Sequence, residues 1–331
     1  TIMVGQGVGD AGLAALTIFM PIVASFFALG LLLGIGGGVL MSVAKGSGNE
    51  SLAHKYFSTA MISAAVVSVC FAVFGAIFFD PMMYALGADT TNIELVRGYG
   101  LCYTVSAPLF IFSSSLQSFI RNDKSPRHAM IAVLTGSGLN ILLDYLFIFV
   151  FKMGMFGASF ATSIGTSITV CILIIHFFTK KNTMRFSFRF FSIKALWEIA
   201  KCGFSSFLIE CANAVLVFVF NHTLLKYIGS VGVTVYSIMS NVAVVCMSLF
   251  NGVTLAAQPI IATNHGADNH KRVLQVRHIG TITSSVIAVI IFCVGFFFPD
   301  LLIYSYVKGP TPEILELARY ALRIYFFAYL F

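Results

Sequence analysis

Charged side chains are scarce in this sequence. Asp, Glu, Lys and Arg make up 10% of its 331 residues, whereas 58% are hydrophobic, and the mean hydropathy is +0.93. A soluble domain carries about 25% charged residues because its surface is in water. The shortage of charge therefore excludes a soluble enzyme of the usual kind. Because the apolar runs are ~20–30 residues long, not the ~10 residues of a barrel strand, the sequence predicts an all-α polytopic membrane protein.

Motifs for disulfide and enzyme chemistry are also lacking. The seven cysteines include no Cys-x-x-Cys pair and lie mostly in apolar runs, which favours reduced packing residues. The sequence has no Gly-Lys-Ser/Thr phosphate loop, and neither the clustered histidines nor the paired carboxylates that a membrane enzyme needs. The chain is therefore predicted not to be an enzyme, with no catalytic residues and no cofactor.

Nine apolar segments are long enough to cross ~30 Å of hydrocarbon as helices that rise 1.5 Å per residue. Turn-forming pairs such as Asp80-Pro81 and Gly309-Pro310 separate them. The predicted spans are 12–43, 56–79, 93–119, 128–151, 156–178, 199–226, 231–263, 274–298 and 313–331.

The basic residues alternate with these spans. Fourteen of the 20 lysines and arginines lie in the loops after the first, third, fifth and seventh spans or within one helical turn of them. The opposite loops carry acidic residues instead, namely Asp80, Asp89, Asp300 and Glu313. Such alternation follows the positive-inside rule, so the basic loops are predicted to be cytoplasmic in a multi-pass plasma-membrane protein. The net charge of +7 is thus a topology signal, and no nucleic-acid partner is expected.

An internal repeat appears when the chain is shifted by 220 residues. One offset aligns positions in several spans and loops, and Arg97 meets Arg319 after a two-residue insertion. The aligned pairs include Gly12 with Gly232, Gly46 with Gly266, Asn49 with Asn269, Gly75 with Gly295 and Asp80 with Asp300. Because 220 residues carry the chain through six spans, both halves keep the same orientation, which is a repeat plan known in transporters.

The repeat predicts two pseudo-symmetric six-helix lobes. The amino-terminal lobe covers residues 1–179, a basic cytoplasmic linker covers 180–198, and the carboxy-terminal lobe covers 199–331. If each repeat has six spans, nine of twelve helices are present. One is then expected before Thr1 and two after Phe331.

Two acidic residues lie well inside apolar spans, Asp144 and Glu210. A carboxylate at membrane depth is costly, so such residues are usually functional. Asn140 lies one turn before Asp144, and Thr162 lies on the next span. These oxygen groups suit a small cation or a proton relay, although an interhelical hydrogen bond is the alternative. Several other polar residues could line a cavity or bond across helices: His176, Asn221, Asn241 and Gln258.

Several segments, in order along the chain, resemble the multidrug and toxic compound extrusion (MATE) transporters, particularly their bacterial and archaeal branch. They are Val4-Gly5-Gln6 with Leu13-Ala14-Ala15-Leu16, Gly34-Ile35-Gly36-Gly37-Gly38, Phe119-Ile120-Arg121-Asn122-Asp123, Leu139-Asn140-Ile141-Leu142-Leu143-Asp144, Gly157-Ala158-Ser159-Phe160-Ala161-Thr162, Gln258-Pro259 and Asn264-His265-Gly266-Ala267. The resemblance implies an antiporter that works by alternating access, in which Na⁺ or H⁺ entry drives the export of a drug-like, cationic small molecule. We also predict a monomer in contact with membrane lipids.

The same resemblance assigns the coupling site. Asn140, Asp144 and Thr162 match the family's cation-binding positions in the amino-terminal lobe, so Na⁺ at Asp144 is the one metal expected. A further family Asp would precede Thr1. Glu210 resembles a carboxylate of the seventh helix, although the family's Gly-x-Pro is here Gly203-Phe204-Ser205.

A lipid-linked oligosaccharide flippase of the same superfamily is the alternative function. A flippase is expected to carry several basic residues within its spans for a pyrophosphate. Here the spans hold few basic residues away from their ends, and the charged residues well inside them are acidic, which favours a cationic cargo. A channel or receptor is disfavoured by the internal repeat and by the lack of a filter-like loop.

Overall fold

A computed structural model describes residues 2–228, 230–306 and 311–330. This part of the chain is helical and contains no β-strand. The helices are α1 (Ile2–Gly7), α2 (Asp10–Gly46), α3 (Glu50–Ile77), α4 (Phe79–Ala85), α5 (Ile93–Val105), α6 (Ala107–Asn122), α7 (Pro126–Tyr145), α8 (Gly154–Ile175), α9 (Ile193–Tyr227), α10 (Ser230–Gly266), α11 (His270–Phe297), α12 (Pro299–Tyr306) and α13 (Pro312–Phe327).

The chain forms two compact units, Thr1–Ala212 and Asn213–Phe331. The core of the first unit is rich in fully buried aromatic residues, such as Phe19, Phe26 and Phe119. The second unit has a core of its own around Ile303 and Phe326. The predicted division into lobes at 179 and 199 stays a prediction.

Seven helices in the described residues are long and apolar enough to cross a membrane, or eight if one bent pair counts as a single span. The polytopic all-α prediction is therefore confirmed. The span predicted at 93–119 is that bent pair, because α5 and α6 meet at an angle of 51°. The span predicted at 313–331 corresponds to α13, whose 16 residues cover only about 24 Å at 1.5 Å per residue.

The first unit depends on glycines that let helices approach closely. Gly34 of α2 faces α6, where an added Cβ would lie 2.8 Å from the Ser115 Cα. An added Cβ at Gly38, one turn on, would lie 2.8 Å from the Asn122 side-chain nitrogen. Because real Cβ atoms need more than about 3 Å, the spacing of four residues serves helix packing.

The two halves repeat the same helix boundaries. At the offset of 220 residues, the limits of α2 fall on those of α10 and the limits of α3 on those of α11. Asn49 and Asn269 each cap the following helix by accepting a backbone N–H bond. Arg97 binds Asp80 through two guanidinium nitrogens, and Arg319 binds Asp300 in the same way. The internal repeat seen in the sequence is thus a repeat of local structure.

Candidate functional site

The candidate site begins where α7 packs closely on α8. An added Cβ at Gly165 of α8 would lie 2.8 Å from the Gly136 carbonyl oxygen and 2.9 Å from the Asn140 Cβ. This close approach lets the Asn140 side chain reach the neighbouring helix. Its amide nitrogen donates to Thr162 Oγ1 at 3.3 Å, and the Thr162 hydroxyl donates to the Ala158 carbonyl at 2.9 Å.

Asp144 lies one turn beyond Asn140 on α7. Its Oδ1 atom is buried and has no hydrogen-bond partner in the described part of the chain. A π-helical segment, Leu146–Val150, follows α7 and continues the same span. Such π-helical turns often occur at functional sites because they redirect side chains within a helix. A cation or a proton could satisfy an unpartnered carboxylate oxygen inside a span.

Asp144 and Thr162 line one cavity of about 190 Å³ in the first unit. The other walls are mainly apolar and are formed by Val4, Leu16, Met20, Val23, Tyr99 and Ala158. Apolar surroundings lower the local dielectric, which strengthens the attraction between a carboxylate and a cation. Asn140 is outside the cavity wall and contacts it through Thr162.

Tyr99 is a site residue that sequence reasoning missed. It lies on α5 and lines the cavity that contains Asp144. Its ring packs edge-on against Phe19, with centroids 5.7 Å apart, and stacks on Tyr103 at 5.6 Å. The phenol brings the cavity a hydroxyl that can donate or accept a hydrogen bond. The only sequence signal is its position between Gly98 and Gly100, which does not identify a partner on another helix.

The other predicted site residues lie elsewhere. Glu210 is half-buried on α9, and its carboxylate has no hydrogen bond or ion pair within the described residues. Asn241 is exposed on α10 and donates to the carbonyl of Ser237 in its own helix. Gln258 is half-buried on α10. The side chain of Asn221 lies outside the described part of the structure.

His176 belongs to a buried network around Asp123, not to the Asp144 cavity. Its Nε2 lies 2.9 Å from Asp123 Oδ2, and both side chains are 1% exposed. Lys45 forms an ion pair with Asp123 at 2.5 Å, and the Thr183 hydroxyl donates to the same carboxylate. Burial alone would raise the pKa of Asp123, but hydrogen bonds from Lys45, Thr183 and His176 outweigh it and hold that pKa below its ordinary value.

The segment predicted to link the lobes is bound to α3 by further hydrogen bonds. The Ser58 hydroxyl donates to the Arg185 carbonyl and accepts from the Ser187 N–H. The Tyr56 hydroxyl donates to Glu198 at 2.6 Å. With Thr183 on Asp123, these bonds fix the segment to the first unit at several points along its length.

The long apolar helices, the internal repeat and a half-buried carboxylate in a small cavity define a multi-pass membrane transport protein. A family model described as MatE matches residues 1–146 and 202–331. The chain therefore belongs to the MATE family, whose members are transporters and not enzymes.

Curated relatives are multidrug exporters. Multidrug export protein MepA of Staphylococcus haemolyticus is 26% identical over 314 residues, which cover 94% of this chain and 69% of the relative. Multidrug export protein MepA of Staphylococcus saprophyticus is 29% identical over 264 residues, which cover 78% of this chain and 58% of the relative. The chain thus spans about three fifths to two thirds of the length of these relatives.

Solved structures share the fold. An outward-facing multidrug resistance MATE transporter of the MOP superfamily superposes with a TM-score of 0.91 at 21% identity, over 99% of this chain and 73% of that one. A MATE in complex with MaD3S gives a TM-score of 0.90 at 21% identity, with the same coverage. The predicted fold class is confirmed.

Proposed function

We propose that this chain is part of a cation-coupled antiporter that exports drug-like organic cations by alternating access. The observation that carries the proposal is the buried, unpartnered Oδ1 of Asp144, a residue that lines a cavity together with Thr162. MATE membership supports transport as such, and the multidrug export activity of the curated relatives supports the drug-like cargo.

The coupling ion is proposed to bind at Asp144. A charged carboxylate at membrane depth costs several kcal/mol unless it is paired, hydrated or protonated. Na⁺ and H⁺ would each remove that cost, so the two ions would compete for the same oxygen. Thr162 would supply a neutral oxygen, the kind of ligand that hard cations prefer, and Asn140 would position the Thr162 hydroxyl through its hydrogen bond.

The cargo is proposed to be cationic because the carboxylates within the spans, Asp144 and Glu210, attract positive charge. An organic cation and the coupling ion could then displace each other as the lobe changes conformation. The flippase alternative is not favoured, since the relatives are multidrug export proteins and a pyrophosphate would meet acidic side chains. We also propose a monomer, with the basic loops in the cytoplasm.

Transport in vesicles tests the proposal. The full-length protein is reconstituted, and efflux of an ethidium-like cationic dye is followed with a Na⁺ gradient or an H⁺ gradient imposed separately. The account predicts that at least one gradient drives efflux, and that a neutral analogue of the same size is exported more slowly. Efflux that ignores both gradients would refute coupling, and a preference for an anionic cargo would refute the proposed substrate class.

A further inference from the structure

A second pocket, of about 550 Å³, lies at the end of α7 and α8 that is remote from Asp144. It forms where α7 begins and α8 ends, so the turn Lys124-Ser125 faces the segment that follows α8. Its lining residues are Lys124, Ser125, Pro126, Arg127, His128, His176, Thr179, Lys180 and Lys181. We call this the basic pocket.

The basic pocket carries uncompensated positive charge. Four of its side chains are exposed cations, Lys124, Arg127, Lys180 and Lys181. In the described part of the chain none of the four forms an ion pair, and no acidic residue lines the pocket. The adjacent Asp123 does not neutralise them, because its carboxylate is bound to Lys45, His176 and Thr183.

A buried donor without a partner also faces the pocket. Ser125 lines the pocket, is 7% exposed and has a hydroxyl with no hydrogen-bond partner in the described residues. It is the residue before the first turn of α7, where the helix dipole favours an anion. A phosphate oxygen could accept from this hydroxyl while the surrounding cations balance its charge.

Carbonyl oxygens near the end of α8 are already occupied. The Ile172 carbonyl accepts from His128 Nε2 at 2.7 Å, and the His176 carbonyl accepts from the Thr179 hydroxyl at 2.7 Å. These bonds leave fewer free acceptors at the pocket wall, so the pocket presents mainly donors and positive charge. Its chemistry matches a phosphate group.

The surroundings of the basic pocket are apolar. Phe178, which directly precedes the lining residue Thr179, is 85% exposed, and Ile175 is 53% exposed. On α7, Met130 and Ile131 are 55% and 54% exposed. These residues belong to helices long and apolar enough to span a membrane, so their exposed side chains are available to contact lipid chains.

We propose that the basic pocket binds the phosphate headgroup of an anionic phospholipid, with its acyl chains against α7 and α8. Basic pockets between the ends of membrane helices are suited to such headgroups. Inorganic phosphate shares the headgroup chemistry but would leave the apolar surroundings without a partner. The site is remote from Asp144 and does not depend on the proposed coupling.

Quenching by brominated lipid tests the proposal. Trp197 is the sole tryptophan of this sequence, so Trp197→Phe combined with Phe178→Trp, with any tryptophan outside these 331 residues also replaced by Phe, leaves a single reporter beside the pocket. The reconstituted full-length protein is measured in phosphatidylcholine membranes that contain either brominated phosphatidylglycerol or brominated phosphatidylcholine at equal fractions. Because each basic residue near a membrane surface favours an anionic headgroup, brominated phosphatidylglycerol is expected to quench with at least about tenfold higher apparent affinity than brominated phosphatidylcholine.

Matched variants locate the site. Replacing Lys124, Arg127, Lys180 and Lys181 by Gln should bring the ratio of the apparent affinities for phosphatidylglycerol and phosphatidylcholine, which we call the preference, close to one. Lys181→Gln alone should lower this ratio part of the way. The control replaces four exposed cations outside the pocket by Gln, namely Arg185, Arg189, Lys194 and Lys201, and should keep most of the preference. Size-exclusion profiles establish that each variant is folded.

Three results would overturn the proposal. The two brominated lipids could quench the reporter protein equally when its basic residues are intact, or both four-site variants could lose the preference equally, as a general surface charge would require. Alternatively, millimolar inorganic phosphate at constant ionic strength could abolish the preference for phosphatidylglycerol, which would make free phosphate the ligand. Retention of the preference in the presence of phosphate supports the phospholipid as the ligand of the basic pocket.

Discussion

Thr162 and Asn140 are related differently to the cavity that Asp144 lines. Thr162 lines the Asp144 cavity, whereas Asn140 contacts it through a 3.3 Å hydrogen bond to Thr162. Thr162→Ala removes one neutral oxygen, which water can partly replace, so the ion concentration for half-maximal efflux should rise by about tenfold or less. Thr162→Ser keeps the hydroxyl and should behave like the unmodified protein. Equal effects of the two substitutions would show that the methyl group, not the oxygen, matters.

Asp123 is the residue on which the Lys45, His176 and Thr183 contacts converge. Asp123→Asn removes the charge that pairs with Lys45, and breaking a buried pair on one side costs about 3–5 kcal/mol. We expect faster hydrogen exchange of the backbone at residues 180–187, measured by mass spectrometry. The control is Asp89→Asn, which removes an exposed loop carboxylate and should leave exchange in that segment unchanged.

The Asp123 network should also weaken in acid. Its hydrogen bonds lower the pKa of Asp123 in the folded protein, so the carboxylate stabilises the fold above its unfolded pKa of about 3.9. That contribution is lost as the pH falls from about 3.9 through the folded pKa. The exchange difference between Asp123→Asn and the unmodified protein should therefore be constant near neutral pH and shrink below about pH 4. A difference that is unchanged at the lowest pH would contradict the assignment.

The packing of α7 on α8 is the element-scale feature on which the site depends. Gly165→Ala would place a Cβ 2.8 Å from the Gly136 carbonyl oxygen, which is backbone and must move with its helix. The helices should separate by a few tenths of an ångström. This separation should lower the midpoint of thermal unfolding and weaken the coupling of efflux to the ion gradient. Gly138→Ala is the matched control, because a Cβ there meets nothing within 4 Å. Similar losses in both variants would mean that helix separation is not the cause.

Hydropathy predicts the long helices but not the breaks between them. The 51° bend between α5 and α6 occurs where Pro108 begins a new helix, a signal that the apolar run at 93–119 conceals. The π-helical segment after Asp144 depends on packing among helices and leaves no pattern in the sequence. The short helices α4 and α12 are likewise invisible to a search for spans.

The sequence likewise predicts some residues of the candidate site and not others. Asp144 could be singled out because an acidic residue in an apolar span is rare, and Asn140 because it lies one turn away. Tyr99 could not be found, since its relation to Asp144 arises from the packing of α5 beside α8. The bond between His176 and Asp123 could not be found for a similar reason, because Asp123 is distant in sequence and lies in a short turn between helices.

The orientation of the protein in the membrane is a property of the whole molecule. It is predicted from the distribution of basic residues among the loops. Cysteines introduced at Lys124 and Lys181 should be shielded from an impermeant thiol reagent in intact cells, whereas one introduced at Asp89 should be labelled. All three positions are exposed, and the tests are made in a background without the seven native cysteines. The reverse labelling pattern would overturn the prediction that the basic loops are cytoplasmic.

The substitution Asp144→Asn tests whether Asp144 couples the ion gradient to export. This substitution keeps the shape and hydrogen-bonding capacity of the side chain but removes its charge. Efflux of a cationic dye from vesicles is measured under an imposed Na⁺ or H⁺ gradient and normalised to folded protein, with Asp89→Asn as the control. The account predicts normal insertion and loss of gradient-driven efflux in Asp144→Asn alone. Efflux at the unmodified rate under both gradients would contradict it and make Asp144 a packing residue.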